Sequence, residues 1–158
     1  MAEVVVGIDF GSSGSGFAYA FKNNEDEIIH GTIYGANVDH KAPTEIILDD
    51  NNNTLKFGIE CIEFLKTKGT KAGHYFKEIK MNLYGKKKEI QAKNTEKILP
   101  LALVIQRVLE KIKDLAIAEI KKNRPIINNI KYVVTIPAIW EEFQKNIMME
   151  ACINKGRR

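Results

Sequence analysis

The residues best equipped for chemistry lie together in the run Gly7-Ile8-Asp9-Phe10-Gly11-Ser12-Ser13-Gly14-Ser15-Gly16. A carboxylate leaves an apolar stretch and is followed at once by glycines and small hydroxyl side chains. Glycines let the backbone turn sharply and come close to an anion, and successive amide N–H groups form an anion-binding nest. The Ser12 and Ser13 hydroxyls add donors for phosphate oxygens. Asp9 would repel a phosphate, so its task would be to hold Mg²⁺ through water, since that ion keeps several waters when it binds protein.

Three other arrangements compete for the same residues. A Gly/Ser-rich hairpin needs no ligand at all. A dinucleotide fingerprint requires Gly-x-Gly-x-x-Gly opening a helix, whereas Gly11-x-x-Gly14-x-Gly16 opens a strand. A Walker-type loop fails because no Gly-Lys-Ser/Thr follows. A phosphate loop inside a β-hairpin is therefore a distinct expectation.

The elements that must position this loop follow from the hydrophobic pattern. Residues 4–10 are almost continuously apolar and β-branched, which predicts a central strand buried on both faces. Residues 11–16 form the loop, 17–21 a second strand, and 27–34 a third, joined as antiparallel neighbours. The short run 46–48, the turn-rich 49–53 and residues 55–57 read as a small hairpin. A short helix near 59–66 ends at Gly69, and 75–83 reads as a further helical turn or two. The longest helix spans 100–123. Leu101, Ile105, Val108, Leu109, Ile112, Leu115, Ala116 and Ile120 recur there at three- and four-residue spacing, with Pro100 in the first turn. Residues 130–136 give a strand that joins the sheet of residues 4–10, Pro137 ends it, and 141–153 form an amphipathic helix with Glu141 and Glu142 at its positive end. The fold class is α/β, a mixed β-sheet with flanking helices.

Composition narrows the classes of function. The 158 residues fit one domain or one large lobe, and 44% apolar content supports a core. With 24 basic and 20 acidic residues the net charge is +4, and the lysines are scattered apart from Lys86-Lys87-Lys88. That triplet reads as a solvated turn, and a nucleic-acid partner is not expected. No stretch approaches the roughly 18 apolar residues of a membrane span, and the N-terminus lacks a secretory pattern. Cys61 and Cys152 each lie in an apolar helical pattern and read as buried thiols, which makes a reducing, cytoplasmic location the expectation. His30, His40 and His74 have no metal-ligand spacing and receive no role. Trp140 reads as a packing residue.

Two motifs carry a family resemblance. Val6-Gly7-Ile8-Asp9-Phe10-Gly11-Ser12-Ser13 resembles the first phosphate motif of the seventy-kilodalton heat-shock chaperones, hexokinases and actins. Val133-Val134-Thr135-Ile136-Pro137-Ala138, followed by a helix with Gln144 and Ala151, is similar to a second landmark of the heat-shock branch. Trp140, the Phe-Gly-Ser-Ser-Gly-Ser-Gly loop and Lys41-Ala42-Pro43-Thr44 look like its divergent twelve-type branch. The resemblance covers nearly the whole chain and implies the N-terminal lobe of an actin-like (ribonuclease H-like) ATPase fold, with ATP or ADP and Mg²⁺ as ligands. It matches Asp9 to the Mg²⁺-associated aspartate, Ser12 and Ser13 to paired phosphate-binding threonines, and Gly11 to the glycine lying against the phosphates, beside Gly14. Lys80 resembles the catalytic lysine that orients water and the γ-phosphate, with Lys77 the other candidate. Pro137 resembles the proline that couples nucleotide state to a neighbouring domain, although a strand terminator would need the same residue.

The resemblance also implies parts not found in these residues: a second glycine-rich phosphate loop, further carboxylates and an adenosine pocket. Residues 1–158 are therefore expected to be a first lobe, truncated before the second, with weak nucleotide affinity and negligible turnover alone. The leading function is ATP binding, and hydrolysis in the complete protein, within a heat-shock-70-like chaperone. Its polypeptide or co-chaperone partners would be gripped by other regions. The alternatives are a truncated or degenerate non-catalytic interaction module and a sugar or acetate kinase of the same superfamily.

Overall fold

A computed structural model of the protein describes residues 3–33 and 40–153. The chain opens with an antiparallel meander: β1 (Val4–Asp9), β2 (Gly14–Phe21) and β3 (Asn24–His30). Strand β10 (Ile130–Thr135) pairs with β1 in parallel, Val4 opposite Ile130 through to Asp9 opposite Thr135. The main sheet thus runs β10-β1-β2-β3, and β4 (Ala42–Pro43) adds to the start of β2. A second sheet, β6-β5-β7, is built from β5 (Ile46–Leu48), β6 (Thr54–Phe57) and β7 (His74–Phe76). Around these lie α1 (Glu60–Lys68), α2 (Ile79–Tyr84), a hairpin of β8 (Glu89–Gln91) and β9 (Ile98–Pro100), α3 (Leu101–Asn123) and α4 (Glu142–Ile153). This mixed sheet with flanking helices is consistent with an actin-like ATPase lobe.

Helix α3 organises the core. Its apolar stripe places Val104, Ile105, Val108, Ile112, Ala116 and Ile120 fully out of solvent. It packs against α4, α2 and the inner residues of β1 and β2. Each of these valine and isoleucine side chains contributes about 1.5–3 kcal/mol on burial. Val4, Val6 and Ile8 face this layer, whereas Val5 is 43% exposed on the other side of β1. The strand is central by its pairing, but it is not buried on both faces: among the described residues the helices cover only one. Unbroken apolar sequence is compatible with either situation, and the helix layer decides between them.

Several boundaries differ from the sequence expectation. Strand β2 begins at Gly14, so the loop proper is only residues 11–13, because Gly14 and Ser15 pair with Pro43 and Ala42. Strand β3 ends at His30, and residue 34 of the expected third strand lies outside the described residues. Residues 74–84 divide into a strand and a helix, because His74–Phe76 pairs with β5. The β8–β9 hairpin was not anticipated. Helix α1 does end at Gly69, which has φ of 55°. The turn at 49–53 is held by the Asp49 carboxylate, which accepts from the Asn51 and Asn53 amides. The Asn53 bonds lead in holding its pKa below the usual carboxylate value. No helix among the described residues is long and apolar enough to cross a membrane.

The cysteines also separate. Cys61 is buried with Ile47 and Tyr75 in a small satellite cluster, while Cys152 is exposed on α4. The expectation of two buried thiols holds only for Cys61, because α4 turns Cys152 away from the core. Burial foremost, then the charges of Glu45 and Glu60, pushes the Cys61 thiol up from 9.0 to about 12. A raised thiol pKa means the folded state favours the neutral form. That contribution to stability is present below pH 9.0 and fades as pH rises towards about 12. A thiol reagent at neutral pH is expected to label Cys152 in the folded protein and to reach Cys61 only after denaturation. Peptide mapping before and after urea checks this, and rapid native labelling of Cys61 would contradict it.

Candidate functional site

Strand β1 delivers Asp9 and then Phe10 to one end of the main sheet, where the 11–13 loop, β4 and the first turn of α2 converge. The loop is closed by a buried hydroxyl pair. Ser15 and Thr44 are 0% and 2% exposed, and their oxygens lie 2.7 Å apart. The Gly11 N–H donates to Ser15 Oγ at 3.2 Å, and Thr44 Oγ1 donates to the Gly11 carbonyl at 2.8 Å. The Thr44 N–H reaches the Ser13 carbonyl at 3.3 Å. Gly11 is required sterically, because a Cβ there would lie 2.1 Å from the Gly14 carbonyl oxygen. Ser12 and Ser13 are exposed at the tip and Gly14 is half-buried. Gly11 therefore serves the internal bonding of the loop at both its N–H and its carbonyl.

Asp9 is half-exposed, and its carboxylate meets the Lys41 ammonium at 2.5 Å. Both line a cleft of about 280 Å³ together with Gly7, Gly16, Ala18 and Thr135. His30 and His40 also line it, with rings 5.7 Å apart and nearly parallel. Among the described residues no group of three histidine, cysteine or acidic side chains is placed to hold a metal. A larger cleft of about 470 Å³ lies on the helical side over Ile8 and Val134. None of the expected site residues lines it.

Lys80 reaches the same end of β1 from α2. Its ammonium donates to the Phe10 carbonyl at 2.8 Å, and the residue is only 9% exposed. The rings of Trp140 and Phe10 lie 5.3 and 5.9 Å from its nitrogen, within the range of cation–π attraction. The partners found for it among the described residues are neutral. Lys77 is half-buried and lies beside Glu78, whose carboxylate pairs chiefly with Lys93. Of the two lysines, Lys80 is the one brought to the β1 exit.

Residues after β10 brace this arrangement. The chain turns at Pro137, with the Trp140 N–H on the Pro137 carbonyl, and Trp140 packs edge-on to Tyr84. Gln144 is buried and reaches back to accept from the Glu141 N–H at 3.1 Å, as in a capping box. Its amide also donates to the Leu83 carbonyl at 3.4 Å. The start of α4 is thereby tied to the helix that carries Lys80. Sequence reasoning did not assign Ser15, Lys41 or Thr44 to the site. The available signal was the Lys41-Ala42-Pro43-Thr44 segment, whose contacts with residues 9–15 are long-range.

Comparison with known proteins is selective. No family model matches the chain. It is 30% identical over 170 residues to heat shock 70 kDa protein 12A of Mus musculus, covering 97% of this chain and 25% of that protein. It is 28% identical over 170 residues to heat shock 70 kDa protein 12B of Homo sapiens, covering 98% and 24%. The human 12A protein is 28% identical over 174 residues, with 97% and 25% covered. The chain thus spans about a quarter of the length of the curated relatives it matches. Over nearly its whole length, and on a mixed sheet with flanking helices, the chain is thus similar to part of the twelve-type heat shock 70 kDa proteins.

Proposed function

We propose that this chain binds ATP or ADP with Mg²⁺ at the exit of β1, and that the complete protein hydrolyses ATP. The observation that carries the reading is the convergence of Asp9, the glycine-closed loop and Lys80 on one end of one strand. The donor set fits the ion: Asp9 already faces a cation, the Lys41 ammonium, and Mg²⁺ asks of a protein only one or two carboxylates beside water and phosphate oxygens. Asp9 would hold it, and the ion would supply charge neutralisation on the phosphates. Ser12 and Ser13 would donate to phosphate oxygens beside the Gly11 and Gly14 backbone.

Lys80 is an ammonium shielded from water by one carbonyl and two ring faces. Such a group gains from an anion brought near it, because desolvated charges interact strongly. In hydrolysis, water would attack the γ-phosphorus, the bond to the bridging oxygen would break, and ADP, phosphate and a proton would leave. Lys80 would orient the water and the γ-phosphate. Polypeptide clients or co-chaperones belong to the same proposal and rest on family likeness alone, while a cytoplasmic setting rests on the reading of the cysteines as thiols.

The test is calorimetric titration of the 158-residue chain with Mg-ATP and Mg-ADP. The wild type is expected to bind weakly, with Kd about millimolar. Asp9→Asn and Ser13→Ala should each weaken binding about tenfold, given charge-assisted bonds of roughly 1.5–3 kcal/mol. A folded wild type that takes up neither nucleotide would sink this reading for the chain.

A further inference from the structure

Trp140 fits the packing role expected of it, but two features of its setting exceed what packing needs. The residue is only 4% exposed, and its indole Nε1 is one of two buried side-chain polar atoms among the described residues that meet no hydrogen-bond partner. A buried donor without an acceptor costs stability, and a phenylalanine would fill the place without that cost. What the indole adds is its face: the Lys80 ammonium lies 5.3 Å from the ring, and tryptophan offers a cation the strongest face of any aromatic side chain. The ring is also firmly held. The Trp140 N–H lies on the Pro137 carbonyl at 3.2 Å, and the indole stands edge-on to Tyr84, the last residue of the helix that carries Lys80. Beyond it, Glu141 pairs with Lys86 at 2.7 Å and Gln144 donates to the Leu83 carbonyl at 3.4 Å.

We propose that Trp140 is a positioning residue of this site, its indole face holding the Lys80 ammonium at the β1 exit while leaving it donors for the γ-phosphate. The proposal rests on the nucleotide reading and adds to it the residue that aims the lysine. The physical argument concerns what can accompany a buried cation. An ammonium taken from water needs compensation. A carboxylate would supply it, but would also cancel the charge that attracts a phosphate and occupy the donors that bind it. A ring face attracts the cation through its quadrupole and accepts no directed hydrogen bond. An ammonium has three donors, and the one acceptor found for Lys80 among the described residues is the Phe10 carbonyl. The two ring faces thus stabilise the charge without competing for the ligand.

Trp140 is the only tryptophan in the chain, so fluorinated tryptophan supplied in its place alters this ring alone. Fluorine draws electron density from the face and weakens its pull on a cation at nearly constant shape. Mg-ATP affinity, read by calorimetry, should fall stepwise from tryptophan through the monofluorinated to the tetrafluorinated ring. The whole fall should be about threefold to tenfold, the range of a desolvated cation–π contact. Mg-ADP, which lacks the γ-phosphate, should bind all three forms alike. Trp140→Phe should stay near the wild type. In a Lys80→Met background the fluorine series should lose its effect, as coupling through that lysine requires. If Mg-ATP affinity is constant along the series, falls together with that for Mg-ADP, or falls as far without the Lys80 ammonium, Trp140 does not position the lysine. The nucleotide reading would then still stand on the binding of the wild type. A folded wild type that binds neither nucleotide overturns both.

Discussion

Phe10→Ala is expected to destabilise the protein by about 3–5 kcal/mol, the usual range for emptying a buried aromatic site. Phe10 follows the last residue of β1 and is only 1% exposed within the main core. Its ring fills space that no neighbour can occupy without moving a strand end, so most of the cavity cost should remain. The effect should extend to the site, because the same residue offers Lys80 both a carbonyl and a ring face. Phe10→Leu keeps an apolar filler and should recover much of the stability. Urea denaturation followed by circular dichroism gives both numbers. A cost below about 1 kcal/mol for the alanine variant would mean that Phe10 is not a core residue.

Gly11→Ala should cost about 2–3 kcal/mol and remove whatever anion binding the loop has. The reason is contact with backbone: the added carbon would stand 2.1 Å from the Gly14 carbonyl oxygen, and no side-chain rotation relieves that. To accept the methyl group the loop must open, which separates Gly11 from Ser15 and Thr44. Those buried hydroxyls would then lose partners, at about 1–3 kcal/mol for each group left unsatisfied. Gly14→Ala is the informative control, since its nearest neighbour is Lys41 Cβ at 3.2 Å. It should be milder in stability and act by pressing on β4, at Lys41 Cβ and at the Ala42 carbonyl oxygen, 3.3 Å away. Equal stability of wild type and Gly11→Ala would contradict the closed loop described here.

Much of the fold was legible because several elements satisfy their own pattern. Helix α3 carries a buried stripe over 23 residues with few competing readings. Strands β1 and β10 announce themselves by β-branched runs, and β10 joins the sheet of β1 as expected, the structure adding that the two pair directly and in parallel. The elements that escaped are short and exist through partners far away. His74–Phe76 is a strand because β5 lies beside it. Glu89–Gln91 and Ile98–Pro100 hold each other in a hairpin across a polar loop. Three residues carry too little periodicity to distinguish strand from helix, so sequence alone could not place them.

The site divides along the same line. Composition and order by themselves determined that a carboxylate, glycines and hydroxyls would meet at a strand end, because Asp9 to Gly14 are neighbours in the chain and a glycine-rich turn needs no distant partner. Only the tertiary structure decided which lysine reaches that end, since Lys80 stands on α2, which carries it to the Phe10 carbonyl, and Lys77 precedes the helix. The tertiary structure also decided that Gly11 turns inward to Ser15 and Thr44, and that Lys41 rests on Asp9. The Thr44 and Lys41 contacts join residues 33 and 32 positions apart in the chain. Their cause is the pairing of β4 with β2, an interaction between backbones that side-chain types do not encode.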